Sequence, residues 1–282
     1  MSDITSFDVF DVHHHVGRAF DALGGELADE SDTAESFAKL ELEHRLRIMD
    51  EGGVRQALVI PGHGYMRPNG QADTMRINDD IAAYRDRTPD RFPVACGIVE
   101  PRDGPHALGE LDRIHRDLGL VAVSFHTRFQ GVSMDSQWIL RYLERMGELG
   151  LLPIIHAMDE TPEESLWKLA SIARQLSDVT ILALDAFGSY EATRQCSFIA
   201  DVAPNIVFDT SLSYNFDFIE AFARRFGVER VVFGTDLYSW PVGRRVSHLL
   251  DQIVASDLDP AAKAAILGGN ARRLFRLATA SG

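Results

Sequence analysis

Cysteine is scarce: Cys96 and Cys196 are the only two, far apart and without CxxC spacing. That excludes a disulfide framework and a thiolate zinc site. Basic residues are short as well, 28 Lys and Arg against 42 Asp and Glu, for a net charge of −14. A chain this acidic lacks the basic face that nucleic acid or an anionic bilayer requires, although local arginines can still receive an anionic small molecule. No apolar run is long enough to span a bilayer, and Met1-Ser2-Asp3-Ile4-Thr5 lacks a basic region followed by an apolar one. The expectation is a cytoplasmic protein whose partner is a small-molecule substrate, with a homodimer as the commonest prior. A Gly-rich phosphate turn after the first strand is missing too, which argues against a doubly wound nucleotide-binding sheet.

Histidines stand where that turn would be. Phe7-Asp8-Val9-Phe10-Asp11-Val12 is a β-favouring run that ends in His13-His14-His15, followed by Val16-Gly17. Side chains alternate along a strand, so His13 and His15 share one face and His14 takes the other. Two imidazoles on one face make half of a divalent metal site. The triplet is internal and flanked by strand residues, unlike a tag.

After an acidic segment from Asp21 to Asp32, helical and strand patterns alternate. Phe37, Leu40, Leu42, Leu46 and Met49 recur at helical spacing up to Gly52-Gly53, and a strand over 54–60 stops at Pro61-Gly62-His63-Gly64. Further strands are predicted over 92–99, 120–125, 151–155, 179–184, 206–208 and 230–234, each preceded by a helical stretch. Eight such units without a linker predict one domain over 1–282. Its fold class is α/β, a single (β/α)8 TIM barrel with a C-terminal helical extension near 244–255 and 261–277.

In such a barrel every strand delivers its last residues to the same face. Those residues are His13 and His15, His63 just beyond strand 2, His126, His156, Asp185, Asp209 and Asp236. Each alone is a weak signal; together they point to a metal. The chain resembles the amidohydrolase superfamily, in its amidohydrolase-related branch, on five motifs. These are Asp11-Val12-His13-His14-His15, the segment Ser124 to Gly131, Ile154-Ile155-His156-Ala157, Val232-Phe233-Gly234-Thr235-Asp236, and Leu267 to Phe275. The resemblance implies His13, His15, His156 and Asp236 as metal ligands, with Asp236 also moving protons. Two departures stand out. Strand 4 carries Ser124 and no lysine, and strand 6 ends in Leu184-Asp185-Ala186-Phe187-Gly188 with no histidine. Either the site is mononuclear, or His126 and Asp185 join His156 around a second ion. The second arrangement is preferred, because unpaired polar groups at a barrel mouth are expensive. Asp185 can alternatively orient a ligand imidazole. Zinc, iron and manganese all suit these donors, as one or two ions per chain.

A divalent ion lowers the pKa of bound water from about 15.7 toward about 7. Hydrolysis of an ester, lactone, thioester or amide is therefore the first expectation, with Asp236 and Asp185 as catalytic carboxylates. The alternative is non-oxidative decarboxylation of an aromatic or unsaturated acid, which generally relies on the missing strand-6 histidine. A barrel that only binds a ligand is a third reading. Arg128, His63, Tyr238 and Trp240 are expected to face substrate, with Tyr65, Met66, Tyr214 and Phe216 extending an apolar wall.

Overall fold

The computed structural model describes residues 4–18, 34–62, 67, 69–158, 161–240 and 248–278. His63, Tyr65 and Met66 lie outside them, as do 241–247 at the start of the expected 244–255 helix. Strand and helix alternate as expected: β1 (Phe10–Arg18), α1 (Ala34–Glu51), β2 (Gln56–Pro61), α2 (Gln71–Arg87), β3 (Val94–Ile98), α3 (His106–Arg116) and β4 (Ala122–Phe125). A single turn, α4 (Thr127–Gln130), precedes α5 (Gln137–Leu149), β5 (Leu152–His156), α6 (Leu166–Gln175), β6 (Ile181–Leu184), α7 (Tyr190–Val202), β7 (Ile206–Asp209) and α8 (Phe216–Phe226). The eighth strand comes in two pieces, β8 (Val231–Val232) and β9 (Leu237–Trp240). The helices α9 (His248–Ala255), α10 (Pro260–Ala264) and α11 (Asn270–Leu274) follow, with a wide π turn over Ala265–Gly269 between the last two. That turn interrupts what periodicity predicts as one helix over 261–277.

Neighbouring strands are parallel throughout and follow chain order from β1 to β8. β9 pairs with β1, and Val12 N–H donates to Phe233 O at 3.0 Å, so the curled sheet closes on itself. The result is a (β/α)8 barrel with a C-terminal helical extension.

Two apolar layers follow from the period of two. Phe10, Val12, Leu58, Ile60, Ile154 and Leu182 fill the barrel, and Phe275 and Ala271 from the C-terminal extension plug it from below. Phe10 and Phe275 meet with ring centroids 5.8 Å apart. Val9, Val59, Val123, Ile155, Ala183 and Phe208 point outward and pack with helix residues such as Leu111, Tyr142 and Phe222. Phe216, expected at the pocket wall, belongs to this outer layer and is buried there. Burying side chains on this scale at about 25 cal/mol per Å2 is the main force holding the barrel together.

The extension sits tightly under β1. A Cβ at Gly268 would lie 2.1 Å from the Asp8 carbonyl oxygen, which is backbone and cannot turn away. Gly268→Ala is expected to cost about 2–3 kcal/mol, a drop in thermal midpoint of about 5–10 °C. Gly109→Ala, on the exposed side of α3 with nothing within 4 Å, is expected to be neutral or stabilising by up to about 1 kcal/mol. Thermal unfolding of the two variants checks both.

Candidate metal centre

Strict alternation would ruin the site. Phe10 and Val12 point into the barrel, so an unbroken strand would send His14 inward and His13 and His15 out to the helices. The register of β1 against β2 shifts between Asp11 and His14, and this irregularity resets the faces. At the shift the Asp11 side chain accepts the His13 backbone N–H at 2.9 Å in a side-chain turn. Beyond it His13 and His15 face inward. His14 faces outward, where its Nε2 meets Asp11 Oδ2 at 2.7 Å, so the expectation that it packs outside the barrel holds.

Elsewhere the parity needs no correction. His156 continues the inward series Leu152 and Ile154, and Asp209 follows inward Val207. The three imidazoles of His13, His15 and His156 are fully buried and converge. His13 Nε2 lies 3.0 Å from His15 Nε2, and His156 Nε2 lies 3.3 Å from His15 Nε2. Each Nδ1 has an acceptor: Asp209 Oδ2 at 2.9 Å for His13, Pro61 O at 3.5 Å for His15, and Phe125 O at 3.0 Å for His156. Placing the protons on Nδ1 leaves three Nε2 lone pairs aimed at one another, an arrangement that repels itself unless a cation sits between them. Metal–nitrogen bonds of about 2.0–2.2 Å put neighbouring donors about 2.9–3.6 Å apart, which matches these spacings. The donor set fits a divalent ion.

Asp236 Oδ1 stands 3.3 Å from His13 Nε2 and 3.6 Å from His15 Nε2, at the fourth side of the cluster. It gets there through a left-handed backbone, φ 57°, in the break between β8 and β9. A non-glycine residue held so costs of order 1–3 kcal/mol and persists where its surroundings enforce it. Gly234 is required in the same break. A Cβ there would fall 2.5 Å from Asp209 Oδ2 and 3.1 Å from the His13 Cβ, pushing Asp209 off His13.

The field at this point calls for positive charge. Burial alone would lower the His13 pKa, but the carboxylates of Asp236, Asp185 and Asp209 outweigh it and raise it to about 10. Without a metal, a proton takes the place of the ion.

Among the described residues, these three histidines are the one group of three or more such side chains close enough to hold an ion. His126 and Asp185 fall outside it, so the preferred two-ion arrangement finds no second cluster. Asp185 also has a left-handed backbone, φ 65°. Its N–H donates to Asp209 Oδ1 at 2.9 Å, and its Oδ1 accepts from Ser211 Oγ at 2.8 Å and lies 3.9 Å from His13 Nδ1. It therefore sits on the Nδ1 side of His13. His126 stacks flat on His156, 4.2 Å between centroids, and its Nδ1 meets Glu164 Oε1 at 2.6 Å.

Sequence reasoning missed Glu164. It lies in a short turn, Pro162–Glu164, that precedes α6, where a helix over 163–176 is predicted. Burial, with a smaller push from Asp185, raises its carboxyl to about 8 despite the opposing pull of Arg128. No spacing in the sequence could have linked it to His126, which is 38 residues earlier. Arg128 leans over the Phe129 ring, 4.4 Å to its centroid, with Nε 3.7 Å from Glu164 Oε2. Tyr238, expected in a loop, belongs to β9 and stacks on the His15 ring at 4.5 Å. Trp240 ends the same strand. Tyr214 is 78 % exposed at the surface.

The fold and this centre define a metal-binding (β/α)8 barrel. The chain belongs to the amidohydrolase family, whose model matches residues 10–277. No curated protein matches it by sequence. Among solved structures it is similar to the 5-carboxyvanillate decarboxylase of Novosphingobium aromaticivorans complexed with manganese and 4-hydroxy-3-methoxy-5-nitrobenzoic acid, at 17 % identity and TM-score 0.72 over 97 % of either chain. It is also similar to the 2,6-dihydroxybenzoate decarboxylase of Rhizobium, at 18 % identity and TM-score 0.68 over 96 % of this chain and 99 % of that one. A dihydroxybenzoic acid decarboxylase from Polaromonas with bound manganese and 2-nitroresorcinol matches at 17 % identity and TM-score 0.69, over 96 % and 97 %. Acyl-bond hydrolysis, the first expectation, is corrected by these neighbours: they share the fold and are decarboxylases, not ester or thioester hydrolases. The ligand set of the sequence does not discriminate the two chemistries, and the missing strand-6 histidine does not decide between them.

Two outcomes are expected from manganese titrations. A metal that displaces the His13 proton binds more weakly as pH falls below about 10, with Kd rising about tenfold per pH unit between pH 8 and 6. A pH-independent Kd would contradict this. Asp209→Asn, which sets an amide N–H against His13 Nδ1–H, is expected to weaken manganese binding about 10–100-fold.

Proposed function

We propose that this protein is a metal-dependent, non-oxidative decarboxylase of a small aromatic carboxylic acid, working on a hydroxy-substituted ring. The observation that carries the reading is the convergence of His13, His15 and His156 at the barrel mouth, with Asp236 beside them and the Tyr238 ring stacked on His15. The neighbours of the same fold support it, since they bind hydroxylated aromatic acids or their analogues, two of them beside manganese. The buried thiols of Cys96 and Cys196 fit a reducing cytoplasm.

The bond broken joins the ring to its carboxyl carbon; carbon dioxide leaves, and the ring carbon takes one proton in exchange. A bound divalent ion supplies charge neutralisation for the oxygens of the acid while electron density builds on the ring. The imidazoles of His13, His15 and His156 through Nε2, with the Asp236 carboxylate, would hold that ion. Asp236 is also assigned the proton, taken from the ring hydroxyl and returned to the ring carbon. Asp185, bonded to Ser211 and close to His13 Nδ1, steadies that imidazole and has no assigned contact with the ion. Arg128 and Tyr238 border the substrate, the first toward its charge and the second toward its ring.

Manganese-loaded protein offered a panel of hydroxybenzoates and, in parallel, aryl esters and thioesters tests this reading. Metal-dependent carbon dioxide release with formation of the phenol is expected, and Asp236→Asn is expected to reduce it by about 100–10,000-fold. Acid release from the esters with no carbon dioxide from any acid would overturn it.

A further inference from the structure

The Asp11 carboxylate is saturated. Oδ1 accepts the backbone N–H of His13 at 2.9 Å and of Thr235 at 3.1 Å. Oδ2 accepts the Thr235 hydroxyl at 2.6 Å and His14 Nε2 at 2.7 Å. Four donors fill the four lone-pair sites of an ionised carboxylate. They hold its pKa below the usual value against a burial that would raise it.

Each donor lies next to a ligand-bearing position. The His13 N–H is drawn out of the ladder, and this creates the register shift that turns His13 and His15 inward. Thr235 precedes Asp236 in the break of the eighth strand, where the backbone is left-handed. His14 lies between the two inward imidazoles. Its Nδ1 has no hydrogen-bond partner and it borders a void of about 20 Å3 lined by Ile48, Met49 and Leu250, so Asp11 is the polar anchor of that side chain. One carboxylate thus joins the strand that carries two imidazoles to the segment that carries the fourth donor, 224 residues away.

We propose that Asp11 is a positioning residue that assembles the metal site: its side-chain turn sets the inward register of His13 and His15, and its bonds to Thr235 hold Asp236 against them. The assignment rests on the metal reading of the three histidines and not on which reaction the ion serves. Geometry does the work here, so an amide oxygen can replace Oδ1 while the amide N–H2 faces His14 and the Thr235 hydroxyl, both able to accept in their alternative states. Alanine can replace neither.

Manganese titration by calorimetry, with circular dichroism to confirm folding, tests the assignment on the intact chain. Asp11→Ala is expected to weaken manganese binding about 10–100-fold, and Asp11→Asn to restore it to within a few-fold of the wild type. Thr235→Val keeps the shape, loses one bond, and is expected to weaken binding several-fold while keeping the wild-type circular dichroism spectrum. It carries the test alone if Asp11→Ala does not fold. Wild-type affinity in Asp11→Ala, or in Thr235→Val where that variant stands alone, overturns the proposal. So does an Asp11→Asn variant as weak as Asp11→Ala, since charge and not the turn would then be responsible. A wild-type protein that binds no manganese overturns this assignment together with the metal reading.

Discussion

A strand in a closed barrel can aim only every second side chain at the axis, and β1 must aim Phe10, Val12, His13 and His15 there. The shift of register between Asp11 and His14 resolves the conflict. Below it the strand serves the apolar plug around Phe275; above it the same strand serves the polar centre. β5 and β7 keep their parity, so His156 and Asp209 need no such irregularity. The broken eighth strand is its counterpart across the barrel seam: where β8 and β9 separate, Gly234 makes room for Asp209 and Asp236 turns back toward the imidazoles.

The polar groups around the centre form a graded set rather than a list of ligands. Nearest the axis, the Nε2 atoms of His13 and His156 lie 3.0 and 3.3 Å from that of His15, and Asp236 Oδ1 lies 3.3 Å from His13 Nε2, an arrangement that a cation relieves. Behind His13 stand Asp209, Ser211 and Asp185, which keep its Nδ1 protonated and its ring fixed. Beside His156 lies His126, whose Nδ1 meets Glu164, a carboxyl that burial raises to about 8. The buried carboxylates of Asp185, Asp209 and Asp236 thus stand where a divalent ion would balance their charge.

Hydrolysis and decarboxylation can be run by one set of ligands, which is why the motifs could not separate them. The difference lies in whether water or the acid itself occupies the open side of the ion, and that is decided by the loops and rings around the mouth. Tyr238 flat against His15 and the Arg128–Phe129 pair beside His126 make that side aromatic.

The repeated strand–helix pattern was legible in the sequence because each unit carries its own hydrophobic period, and strand ends singled out His13, His15 and His156, which converge with Asp236 beside them, because a barrel gathers all its strand ends on one face. Alternation also grouped His13 with His15 correctly, since it depends only on their spacing of two. Which way that pair points was not legible: the periods of Phe10 and Val12 argue for outward, and the deciding bond runs from Asp11 to a backbone N–H. The roles of Asp209, Glu164 and Asp185 were hidden for another reason. Their partners are 196, 38 and 26 residues away, and no local pattern records such a distance. The amino-acid sequence by itself determined the barrel and the chemical nature of its donors, both being matters of period and residue type. Only the tertiary structure decided which of those donors converge and which stand apart, because that depends on ångström-scale geometry across the closed sheet.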